Sequence, residues 1–127
     1  MDILQEVPSS KQKQPEAGRR WFHAAGADLY VWHDAHNTLT ALRYQCQSDQ
    51  EQYLLTWNTQ EGIRQQCNRL DATQSKNVDF DKTQILNGRA AFDEGYVARD
   101  FRVRGLHLEP PLYQFILYKL FDPLQAA

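Results

Sequence analysis

Two cysteines, Cys46 and Cys67, are all that the 127 residues contain. They form no CxxC pair and no framework spacing, which argues against a disulfide-stapled secreted fold and for reduced, partly buried thiols in a cytosolic protein. A redox pair on neighbouring strands is the sharper alternative, and it requires Cα atoms within about 7 Å. Long apolar runs are missing as well. Leu29 to Trp32 and Phe115 to Tyr118 fall far short of the ~20 residues of a membrane-spanning helix. Asp2 and Glu6 stand where a secretory signal would carry basic and then apolar residues, so a cytoplasmic location is expected.

An excess of either charge is also lacking. Lys+Arg number 14 and Asp+Glu 16, a formal net charge of -2, so there is no global pull toward nucleic acid or anionic lipid. No GxGxxG, Walker loop or HExxH occurs, and Ser9, Ser10, Ser48 and Ser75 lack the flanking glycines of a nucleophile elbow. The common cofactor signatures are therefore absent, and none is expected. His33, Asp34 and His36 form the one ligand-like cluster. It lacks the further partners that complete a structural or catalytic metal site, which His23 and His107 could supply only if the fold brings them near, and such residues are ordinary in a turn.

What is present suits one domain with a single core. Residues 1–18, with Pro8, Ser9, Ser10, Pro15 and Gly18 among lysines and glutamines, bury too little apolar surface to order themselves and read as a disordered tail before a domain at 19–127. From Arg19 the pattern turns to β. Strands are expected over about 19–23, 28–33, 38–46, 51–57 and 62–70, split by turn residues. Residues 71–91 are polar and read as a long surface loop with a short edge strand near 83–86. The last third is helical. Asp93 is a good N-cap, Phe92 and Val97 suit a hydrophobic staple, and Arg102 and Arg104 precede a closing Gly105. A second helix begins at Pro110-Pro111 and ends before Pro123. The fold class is α+β: an antiparallel meander of four or five strands followed by two helices packed on one face.

A four-residue loop at 34–37 would set Asp28 against Arg43 and Trp32 against Leu39, and a loop at 47–50 would set Tyr44 against Tyr53. One face then carries Leu29, Val31, Leu42, Tyr44, Tyr53, Leu55 and Trp57, the natural floor for the helices. The other carries Tyr30, Trp32, Leu39 and Leu54 beside Asp28, Arg43, Gln45 and Gln52. An aromatic patch with a polar border opposite the helices suits a binding groove or subunit interface, unless other parts of the monomer cover it. The second helix poses the same choice, because Phe115 and Tyr118 leave little of its circumference polar.

Arg19-Arg20-Trp21-Phe22, then Asp28-Leu29-Tyr30-Val31-Trp32, then Leu55-Thr56-Trp57 resemble a group of short bacterial proteins without an assigned activity, over about residues 19–121. The resemblance implies a bacterial, cytoplasmic, single-domain protein and carries over no site residue.

The favoured expectation is a non-enzymatic interaction module acting as a homodimer through Tyr30, Trp32, Leu39, Arg43 and Leu54. A small enzyme or ligand-binding protein is the alternative, with a pocket between the sheet and the 71–91 loop and Asp28, Arg43 and His33 as its polar groups. Single-stranded nucleic acid comes third: Arg19, Arg20 and Arg43 interleave with aromatics, while the net charge and the missing RNP motif speak against it.

Overall fold

The computed structural model describes residues 2–12, 16–48, 50–69 and 92–121. Six strands, β1 (Gln5–Val7), β2 (Arg19–Ala24), β3 (Ala27–His33), β4 (Leu39–Gln47), β5 (Glu51–Asn58) and β6 (Gly62–Arg69), form an antiparallel meander in chain order. Two helices follow, α1 (Glu94–Arg104) and α2 (Pro110–Ile116), the latter continuing as wider π turns through Leu117–Phe121. The expected α+β class holds, with one strand more than the sequence pattern suggests.

That extra strand corrects part of the tail. Gln5–Val7 pairs with β2 in the register Gln5–His23 to Val7–Trp21. Just before it, Leu4 is 1% exposed in the core and donates its N–H to the Arg104 carbonyl at 2.8 Å. A three-residue strand on a sheet edge needs only the free backbone groups of its neighbour and one apolar anchor, which an averaged composition hides. Arg20 ties this segment down. Its guanidinium contacts both Glu6 carboxylate oxygens at 2.8 Å and Glu109 at 2.6 Å, and the first of these hydrogen bonds holds the Glu6 carboxyl below its usual pKa.

Turn chemistry sets the registers. Ala24 pairs with Ala27 across Ala25-Gly26, where Gly26 adopts φ 84°. At the next turn Asp34 Oδ1 accepts the N–H groups of His36 and Thr38, and Asn37 takes φ 63°. This turn is one residue longer than expected, so His33 pairs with Leu39. Thr40 is then skipped before Trp32 pairs with Ala41. The two single-residue shifts cancel in parity for residues 41–47, leaving Leu42, Tyr44 and Cys46 on the expected face. They do not cancel for Leu39, which packs against the core. The expected Asp28–Arg43 pair is likewise replaced: Asp28 faces Gln45 and Arg43 faces Tyr30. In the following hairpin Ser48 Oγ accepts the N–H groups of Gln50 and Glu51. That recentres the turn, so Tyr44 pairs with Leu55 and Tyr53 with Cys46.

The helices fill the face carrying Leu29, Val31, Leu42, Tyr44 and Leu55, all 0–1% exposed. Asp93 caps α1 by accepting the Tyr96 N–H at 2.9 Å. Phe101 centres the helical side of the core, edge-on to Tyr44 and stacked on Tyr113 and Phe121. Most of the apolar circumference of α2 is spent within the monomer: Leu112, Ile116, Leu120 and Phe121 are buried and Tyr113, Phe115 and Leu117 pack against them.

Candidate binding face

Alternation along the strands places a second set of side chains on the face away from the helices. Trp21 of β2 lies opposite Tyr30 of β3. Their rings are 5.9 Å apart with planes 6° from parallel, and Trp32 follows 6.0 Å from Tyr30 at 28°. Arg19 sets its guanidinium 5.4 Å from the Tyr30 ring centre, within cation–π range. All three rings are half-buried.

Polar groups border this strip. Asp28 Oδ1 accepts the Trp21 indole N–H at 2.9 Å and lies 2.6 Å from His23 Nδ1, while Gln45 donates to Oδ2 at 3.5 Å. Beyond Trp32 at the other end, Glu16 accepts its indole N–H at 3.4 Å and lies 3.7 Å from Arg19. Arg43, beside Tyr30 in the register, gives Gln45 one long hydrogen bond of 3.4 Å, and its Nε is buried with no acceptor among the described residues. Leu54 sits between Gln45 and Gln66 on the same face, half-buried.

Of the expected interface residues, the structure thus gathers Tyr30, Trp32, Arg43 and Leu54 and removes Leu39, which the skipped residue turns inward. Trp21 joins them. Its signal was the Gly26 turn: a two-residue hairpin at 25–26 puts Trp21 opposite Tyr30 by counting alone.

Comparison of the chain with known protein families, curated proteins and solved structures finds no match in any of the three. The residues themselves must carry the functional reading.

Asp28 and His33 are the polar groups expected, with Arg43, to line a pocket. They lie at opposite ends of β3 and, five residues apart, on opposite faces, about 17 Å from each other at strand spacing. The 71–91 loop lies outside the described residues. Asp34 serves its turn, and among the described residues no three His, Cys, Asp or Glu side chains gather as a metal site.

Among the described residues the buried carboxylate is Asp100, which the sequence did not single out. It accepts Tyr44 Oη at 2.5 Å and Arg104 Nε at 3.0 and 3.1 Å. Arg104 also donates to the carbonyls of Ala25 at 2.8 Å and Asp2 at 3.2 Å. Burial above all, and then the Cys46 and Asp100 charges, push the Tyr44 hydroxyl far above its usual pKa. Burial and Asp100 do the same to the Cys46 thiol. This cluster binds α1, the sheet and the N-terminal segment together, and its acceptors are taken.

Cys46 and Cys67 both pair in register with Tyr53, one from β4 and one from β6. They lie two strands apart, about 10 Å at ordinary strand spacing, with Tyr53 between them. Neither is in a disulfide, so the redox pair on neighbouring strands is replaced by two separated core residues.

Proposed function

We propose that the protein is a non-enzymatic interaction module that works as a homodimer through the Trp21, Tyr30 and Trp32 face, with Arg43 and Leu54 at its margin. The carrying observation is the three-ring strip on the side of the sheet that the helices leave uncovered. Clustered aromatics and arginine with a polar border are the composition of interface cores. Arg43 adds to this reading: a buried Nε without an acceptor costs free energy in the monomer and gains a partner when a second surface supplies one. The two buried thiols and the resemblance noted above fit a bacterial, cytoplasmic setting.

Sedimentation velocity over a hundredfold concentration range tests the reading. A dimer is expected for the native chain, and Trp21→Ala/Trp32→Ala should weaken association at least tenfold while leaving the far-ultraviolet circular dichroism unchanged. A native chain that stays monomeric throughout refutes it.

The interleaving of Arg19 and Arg43 with the same rings favours one second reading, single-stranded nucleic acid stacked on the strip. Its signature is binding that weakens steeply with salt. Retention of a labelled oligonucleotide that ignores salt, or no retention, refutes that reading.

A further inference from the structure

On the helical side of the molecule, away from the strip, Lys119 directs its ammonium into a group of aromatic rings. Nζ lies 5.0 Å from the Trp57 ring centre, 5.5 Å from Tyr118 and 5.8 Å from Phe115. The three come from two elements: Trp57 from β5, Phe115 and Tyr118 from α2 and its continuation. Trp57 and Phe115 stand edge to face at 77° with centres 5.7 Å apart, so two walls meet nearly at a right angle. Among the described residues no carboxylate lies within ion-pair distance of Lys119. The rings are what its charge meets there.

All three distances fall within the ~6 Å over which a ring quadrupole attracts a cation. A primary ammonium is a strongly hydrated point charge and gives up much of that hydration to enter such a site. A quaternary ammonium is weakly hydrated and presents methyl groups to the ring faces, so the same walls hold it more favourably. Tyr118 is 49% exposed, so one of the three rings reaches solvent. Lys119, tethered to its own cage, acts as a competitor at an effective concentration in the millimolar range.

We propose that Trp57, Phe115 and Tyr118 form a binding site for a quaternary ammonium group, which Lys119 occupies as an internal stand-in until such a group displaces it. Freeing the cage then strengthens binding, the reverse of what removing a lysine does at an anion site.

Tetramethylammonium, titrated while the Trp57 indole N–H resonance is followed, tests this in the full chain. Lys119→Ala should bind at least tenfold more tightly than the native protein, and adding Trp57→Leu should abolish the saturable shift of the Phe115 and Tyr118 ring resonances, followed in the same titrations. Lys119→Ser provides a second vacated cage should the alanine variant not fold. Choline and a trimethyl-lysine peptide, titrated into the same variant, distinguish a small-molecule source from a protein one by which binds more tightly. A folded Lys119 variant whose Trp57 resonance shows no saturable shift overturns the proposal, as does a shift elsewhere that survives Trp57→Leu.

Discussion

Truncating Arg104 should be strongly destabilising for a charged residue, and the structure sets its size. The Arg104 and Asp100 side chains are only 8% and 2% exposed. Arg104→Ala leaves the Asp100 carboxylate buried with only the Tyr44 hydroxyl and the weakly donating Cys46 thiol beside it, and takes the Arg104 donor from the carbonyls of Asp2 and Ala25. Removing one member of a buried pair costs about 3–5 kcal/mol, against about 0–1 kcal/mol for an exposed one. Tyr44→Phe takes away a single donor while Arg104 still holds Asp100, so its cost is about 1.5–3 kcal/mol. Because both act on one carboxylate, the double variant should depart from additivity by about 1 kcal/mol or more. Urea unfolding followed by circular dichroism measures all three. In thermal melts the Arg104 variant should lose on the order of 10–20 °C, at roughly 3–5 °C per kcal/mol for a domain of this size. A loss below about 1 kcal/mol for Arg104→Ala would refute the argument, since it would place the pair in the range of solvated surface contacts.

Two further outcomes test neighbouring parts of the same core. Because the Tyr44 pKa is raised in the folded state, its contribution to stability should hold below about pH 10, the unfolded value, and fall as pH rises above it, after the Cys46 thiol has begun the decline about a unit lower; Tyr44→Phe should make the decline above about pH 10 shallower in pH-dependent urea titrations. Cys46 and Cys67 are each 3% exposed and burial raises the Cys46 pKa, so a disulfide reagent should titrate no thiol in the native protein and two in urea; one fast native thiol would contradict the packing.

How much of this was legible in the sequence depended on what each residue answers to. Turns and caps answer to their neighbours, which is why Asp93, Gly105 and Pro110-Pro111 could be placed by inspection. Strand faces answer to a period of two, and the core set of Leu29, Val31, Leu42, Tyr44 and Leu55 survived registers that were displaced by two residues, because an even shift keeps every side chain on its face. Leu39 shows where that protection ends. It lies between the longer turn and the skipped Thr40, in the one stretch where only a single residue of shift had accumulated, and so it alone of the expected face changed sides.

The polar partners were harder to read, because a salt bridge has no period. Asp28 and Arg43 looked paired only as long as the register held; the shift gave Asp28 to Trp21, His23 and Gln45 and left Arg43 with Gln45. Arg104 is the converse. In sequence it is a basic residue in the last turn of a helix, where the helix dipole accounts for it. Its fourth-neighbour Asp100 reads as a solvated pair on the same grounds. What draws the two inward is distant in sequence: Tyr44 on Asp100, the Ala25 and Asp2 carbonyls on Arg104, and Leu4 bonded to the Arg104 backbone. The segment whose composition reads as tail thus joins the sheet in converting an ordinary helical ion pair into a buried polar centre of the fold.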